Sequence, residues 1–237
     1  MSTCLFLSFR LRTKPSVDAG ELAKLARVLR ATPKLLKVLV HTSTSADDPY
    51  VKDEQPPPQL VLQLYFAELP GLEAALSRDG HLRALATRSE FPGLADADVT
   101  QQAMLVRTFA VPEPTIQPAR GEPTCSYLVS YEGEAEDLNA WLDHYLEKHT
   151  KHMACFPGIR ELEVYTRLDW VGLLPWPRVN FMQRNKVAFD SADALTQALH
   201  SPVRHEIRAC YKALPPFTGP NSHYAMATRV LLPQSRT

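Results

Sequence analysis

From Cys4 to Arg12 apolar and polar residues alternate, and this period of two predicts a strand. A turn at Lys14-Pro15 leads to a helix, with Ser16 or Asp18 placed to cap its first turn and Leu22, Leu25, Ala26 and Leu29 forming its apolar stripe. Pro33 ends that helix. Strands follow over Leu35–Thr44 and Leu60–Phe66, then a helical stretch over Pro70–Ala86 and a strand over Gln101–Val111. Between the second and third strands, Ser45–Pro58 carries charges and three consecutive prolines, which reads as an exposed loop. The same order returns later in the chain. Strands are expected over Cys125–Tyr131 and Ile159–Leu168, near Lys186–Phe189, and over His223–Leu231, with helices over Asp137–Met153 and Ala192–Leu214.

The two runs share more than their order. Thr32-Pro33 leads into Leu35, Val38, Val40, His41 and Thr42, while Phe156-Pro157 leads into Ile159, Leu162, Val164, Tyr165 and Thr166. Phe66, Leu72 and Leu76 are echoed by Phe189, Leu195 and Leu199. An internal repeat of this kind fixes the architecture before any single element does. Each half reads β-α-β-β-α-β, the ferredoxin-like order. An antiparallel sheet with helices on one face leaves the other face to be buried, and two such faces can cover each other. The expected fold is therefore α+β, two tandem ferredoxin-like units packed sheet to sheet as a pseudo-dimeric α+β barrel. The units are residues 1–112 and 124–237, joined by a proline-rich linker over 113–123.

Composition narrows the partners. The 26 basic and 26 acidic residues among 237 give formal net charge zero, so no overall field favours nucleic acid or an anionic membrane. No apolar run reaches the roughly 20 residues of a membrane span, and the N-terminal stretch lacks the form of a signal peptide, so a cytoplasmic, soluble protein is expected. Cys4, Cys125, Cys155 and Cys210 are scattered, which suggests buried free thiols and neither a zinc site nor a disulfide framework. There is no G-x-S-x-G elbow, phosphate-cradling glycine loop, dinucleotide fingerprint or H-E-x-x-H, which lowers hydrolase, kinase and nicotinamide readings.

The candidate chemistry lies on the first helix of the second half. Leu138, Leu142, Tyr145, His149 and His152 follow a four-three-four-three spacing that puts them on one stripe, apolar at its start and ending in imidazoles. Aligned through Pro33 and Pro157, Leu25 stands opposite His149 and Val28 opposite His152. An imidazole in such a place is a general acid or base, or a cation at a water-exposed helix end; a metal site with Glu161 or Glu163 is a third reading. On the next strand, Leu162, Val164, Thr166 and Leu168 share the face toward the helices, and Glu161, Glu163, Tyr165 and Arg167 the opposite face. That polar row is either a site, with Tyr165 donating to an anion and Arg167 gripping one, or an ion-pair ladder between the halves. Trp170 and Trp176, in a proline-containing loop, suit a pocket wall, and His223 opens the last strand beside Asn221 and Tyr224. His205, with Arg204 and Arg208, reads as a solvated helix face.

Trp141, Tyr145 and His149 at four-residue spacing, Phe156-Pro157-Gly158 opening a strand, and Phe189-Asp190-Ser191 with Ala194-Leu195 and Ser201-Pro202 resemble the EthD-like family of dimeric α+β barrels. The resemblance covers residues 125–231 and implies small enzymes on aromatic or polyketide-like substrates, often without a cofactor, with the helix histidine at His149. Together these lines lead to an expected cofactor-independent enzyme, without a metal, acting on a small aromatic or conjugated carbonyl compound. It would be a lyase, decarboxylase or isomerase in which His149 and His152 move protons and Tyr165 steadies the anion. Tyr145, Arg167, Trp170, Trp176 and His223 would bind the substrate, and a homodimer is the protein partner that the fold allows. The alternatives are a non-catalytic binder of hydrophobic aromatic ligands and a cofactor-free oxygenase of the same barrel type.

Overall fold

The computed structural model describes residues 2–13, 16–51, 56–87 and 89–231, so the turn expected at Lys14-Pro15 and part of the Ser45–Pro58 loop lie outside the described residues. Eight strands form one closed barrel: β1 Thr3–Arg10, β2 Leu35–Ser43, β3 Leu60–Phe66, β4 Asp98–Phe109, β5 Thr124–Tyr131, β6 Glu161–Arg167, β7 Gln183–Phe189 and β8 Asn221–Leu231. Around the barrel they run β1-β3-β2-β8-β5-β7-β6-β4, and neighbouring strands are antiparallel throughout. The first four strands are contiguous as β4-β1-β3-β2, and the last four as β6-β7-β5-β8. The seams are β2 against β8, with Val40 opposite Arg229, and β4 against β6, with Val106 opposite Tyr165. Closure removes the free sheet edges that would otherwise template aggregation.

Helices cover the outside. α1 (Ala19–Arg30) is capped by Asp18, whose carboxylate accepts from the Glu21 N–H at 2.9 Å. The helical stretch expected over Pro70–Ala86 is a short α2 (Leu69–Leu76) followed by a 3₁₀ segment at His81–Ala86. In the second half, α3 (Leu138–His144), a π-helical turn (Tyr145–His149) and α4 (Thr150–Ala154) form one continuous rod, and α5 (Ala192–Leu199) and α6 (Pro202–Lys212) pack nearby. Among the described residues no helix is long and apolar enough to cross a membrane. Cys4 and Cys125 are buried free thiols as expected, whereas Cys155 is exposed and Cys210 half-buried.

The period of two along each strand sorts side chains into three cores. Leu5, Leu7, Phe9, Leu62 and Leu64 face α1 and α2; Tyr127, Val129, Val164 and Val187 face the second set of helices; Phe6, Leu39, Val61, Met104 and Met226 fill the barrel interior. The interior also holds charge. Glu163 accepts from Tyr65 at 2.5 Å and Tyr165 at 2.6 Å, and pairs with Lys186 at 2.8 Å. Lys186 reaches Glu161 at 3.3 Å and donates to the Tyr65 hydroxyl at 3.1 Å. Burial opposes both charges, yet the pair and the two phenols prevail, holding the Glu163 carboxyl low and the Lys186 ammonium high. Tyr65 comes from the first half and the others from the second, so the polar row on β6 is a ladder binding the halves.

Candidate active site

The helix-facing side of β5, β7 and β8 is where a cavity opens. Tyr127, Val129 and Tyr131 from β5, Asn185 and Val187 from β7, and Asn221 and His223 from β8 form its floor, and the α3–α4 rod and α6 form its walls. Its volume is about 410 Å³. This lies within the ~300–1,000 Å³ of ordinary small-molecule sites.

His149 reaches this cavity because the rod is not a regular α-helix. A spacing of four overshoots the 3.6-residue turn by about 40° at each step, so a four-four-four line would spiral off one face. The π turn, in which the Thr150 N–H reaches back five residues to the Tyr145 carbonyl, takes up the excess. The buried line consequently runs Trp141, Tyr145, His149, Met153. Tyr145 stacks on Trp141 with centroids 5.0 Å apart, and the His149 ring lies 4.7 Å from that of Tyr145. The expected four-three-four-three stripe is wrong at its end. His152 turns outward, about 41% exposed, and faces Glu206 at 3.5 Å.

His149 is 3% exposed, and its Nδ1 is buried without a hydrogen-bond partner. Burial first, and then the positive charges of His152, Arg204 and His144, push its pKa down to about 3. It is therefore a neutral imidazole at neutral pH, held well below the ordinary range of a free imidazole. Asn185 donates to the Tyr145 hydroxyl at 2.5 Å and leaves its own Oδ1 buried and unpaired. Two buried polar atoms without partners among cavity-lining residues, one on the floor and one on a wall, are costly, about 1–3 kcal/mol each, unless a ligand or water meets them.

A loop from the other half borders the cavity. The loop after β2, read as exposed, in fact buries Asp48 and lays Tyr50 and Val51 against the cavity. Asp48 Oδ2 accepts from Tyr127 at 2.8 Å and from Arg204 at 2.9 and 3.2 Å, and its Oδ1 accepts from the Tyr50 N–H at 2.9 Å. Asp47 meets His200 at 2.8 Å, and the Tyr50 hydroxyl meets His205. The α6 face read as solvated is so at His205, which is exposed, whereas Arg204, only 7% exposed, is part of the site.

Of the sequence-derived site residues, the fold brings Tyr145, His149 and His223 together around this cavity, with His223 beside Tyr127 at 5.7 Å between rings. The rest lie elsewhere. Tyr165 is in the barrel interior, edge-on to Phe6, and Arg167 is spent on Glu134 at 2.6 Å. Trp170, under the Arg178 guanidinium at 3.7 Å, and Trp176, edge-on to Phe9, pack against the first half's core, because their loop crosses the barrel in the opposite sense to the Asp48 loop. Glu161 and Glu163 belong to the Lys186 network, so they do not join the histidines as metal ligands. Among the described residues no group of three or more His, Cys, Asp or Glu is placed to hold a metal ion. Asp48, Tyr50, Arg204 and Asn185 were missed by sequence reasoning. Tyr127, Val129 and Tyr131 were legible as one face of a strand, but nothing in their spacing marks that face as a cavity floor.

No family model matches the chain, and no curated protein matches it either. Solved structures do. An anthrone oxidase-like protein is 13% identical, covers 99% of this chain and 94% of its own, and superposes with a TM-score of 0.65. A proposed monooxygenase from Lactobacillus acidophilus NCFM is 10% identical over 98% of this chain and 97% of its own, with a TM-score of 0.55. An EthD family protein from Bacillus halodurans C-125 also matches, 19% identical over 42% of this chain and 96% of its own, at 0.34. The chain has the fold of the dimeric α+β barrel proteins, as the resemblance implied. The full-length neighbours carry names of oxidase, monooxygenase and chlorite dismutase type, and these overturn the lyase or isomerase expectation and agree better with the oxygenase alternative.

Proposed function

We propose that the protein is a cofactor-independent oxygenase of a flat, electron-rich aromatic compound. In this reading the chain is two ferredoxin-like units, residues 1–112 and 124–237; the second carries the site and the first supplies its lid. The observation that carries the proposal is the His149 imidazole, which is buried, uncharged at neutral pH and unpartnered at Nδ1, on the wall of a cavity lined by aromatic side chains. The names of three full-length neighbours, of oxidase and monooxygenase type, support the reaction type.

A methylene held between two rings is acidic enough to yield a proton to a neutral imidazole when the resulting carbanion is delocalised. Charge separation then changes the local balance: burial depresses the His149 pKa in the empty cavity, and an anion forming alongside raises it again. The carbanion delivers electrons to dioxygen. One oxygen atom is retained as a carbonyl, and the other leaves as water with the two hydrogens of the methylene. Asn185 Oδ1, buried and unpaired, is suited to accept from a phenolic hydroxyl and so orient the ring.

The test is oxygen uptake with anthrone as the probe. The wild-type protein should consume oxygen, and a folded His149→Ala variant should lose about 10²-fold or more of the rate. Retention of full turnover by the variant, or no uptake above blank by the wild type, overturns the proposal. A His149 pKa near 3 makes a weak base, which favours the non-catalytic binder as the second reading. Anthrone bound tightly by the wild type without oxygen uptake would select it.

A further inference from the structure

Arg204 and Arg208 are one turn apart on α6, so they project to the same side of that helix. Their situations differ. Arg204 is buried and neutralised by Asp48. Arg208 is half-buried, lines the cavity, and has neither a carboxylate nor a hydrogen-bond acceptor among the described residues. Its guanidinium lies 5.6 Å from the Tyr50 ring centroid and 5.1 Å from that of Tyr211. Two aromatic neighbours of this kind favour the cation and strip water from its faces, while leaving the N–H fork at its edge unengaged.

The charges around the cavity then sum simply. His149 is neutral and Asp48 cancels Arg204, which leaves the Arg208 guanidinium without a counter-charge among the described residues. The fork of a guanidinium matches a carboxylate in both charge and shape. We infer that the cavity selects aromatic acids: planar ring systems bearing a carboxylate that Arg208 grips at one end, with the rings against the cavity's tyrosines and the far edge toward His149 and Asn185. The inference rests on reading the cavity as an aromatic site and adds the chemical class of its ligand. It assigns Arg208 as the specificity-determining residue.

Titration calorimetry with 2-naphthoate, its methyl ester and 2-naphthol tests it. The wild type should bind the acid about tenfold or more tightly than the ester, the scale of one charge-assisted contact. Arg208→Gln should abolish that gap while changing 2-naphthol affinity by less than about twofold. No preference for the acid, a preference that survives Arg208→Gln, or binding of none of the three overturns the inference. Should Arg208→Gln lose 2-naphthol as well, Arg208→Lys decides: an acid preference retained there supports the inference, and its loss overturns it. An acid preference without oxygen uptake would sink the oxygenase reading and leave this one standing. Oxygen uptake from neutral aromatics with no acid preference would do the reverse.

Discussion

The helix-facing sides of the two half-barrels are built from corresponding elements and filled with opposite chemistry. In the first half, Leu25 is 1% exposed among Leu29, Leu82, Leu85 and other apolar side chains, and a loop from the second half adds Leu174, Trp170 and Trp176 to the same core. A cleft of about 260 Å³ beside Phe91 and Trp176 is lined, among the described residues, by no titratable group. In the second half the corresponding helix position is His149, just as buried, and the loop that crosses from the first half brings Asp48 instead of tryptophan. Leu25 and His149 are thus both buried on the first helix of their half. The difference is whether the neighbours are shaped to fill the space or to leave it open. An apolar plug adds to the core at little cost, whereas a polar lid needs Arg204 and Tyr127 to satisfy its carboxylate.

The sharpest break of this comparison is in the lids. Asp48→Ala leaves the Arg204 guanidinium buried and unpaired, and urea unfolding should show a loss of about 3–5 kcal/mol. Adding Arg204→Met should restore most of it. Trp176→Ala, the matching change in the other lid, removes contacts only, and no second substitution of that kind should rescue it. If Asp48→Ala were neutral, the polar lid would not be fastened as the geometry indicates.

A somewhat smaller effect separates the two helix positions. Leu25→Ala should cost about 2–5 kcal/mol, since the space it leaves is lined by packed side chains. His149→Leu, which copies the first half into the second, should be neutral or stabilising by about 1 kcal/mol, because it removes a buried atom that has no partner. Equal losses at the two positions, read from the same denaturant curves, would mean that both are plain core.

A further effect is in the pH dependence. His149 and the fully buried His41, beside Thr228 and Gln63, both have pKa values lowered to about 3, in each case chiefly by burial. Between about pH 6.5 and 3 the unfolded chain binds protons that the native state does not, so each imidazole lowers stability as the pH falls through that window. The slope is about 1.4 kcal/mol per pH unit for each imidazole. His149→Leu should remove one such increment from a plot of unfolding free energy against pH, and His41→Leu the other. A slope that His149→Leu leaves unchanged would show that this imidazole is already protonated in the folded protein.

Much of this molecule is carried by its sequence alone, and by local causes. The period of two placed Leu162 and Val164 toward the helices and Glu163 and Tyr165 toward the barrel interior, where the structure has them, because adjacent side chains on a strand must point to opposite faces. Asp18 as a helix cap was equally legible. Only the tertiary structure decided the rest. A π turn is a matter of which carbonyl an N–H reaches, and it moved His152 out and Met153 in. The two crossing loops exchanged their expected roles, since a loop's partner is fixed by the path of the barrel and not by its own composition. Arg204 and Asp48 are 156 positions apart, and no local pattern shows that a charged helix face and a charged loop will bury one another. Long-range closure of the barrel made that contact, and with it the cavity.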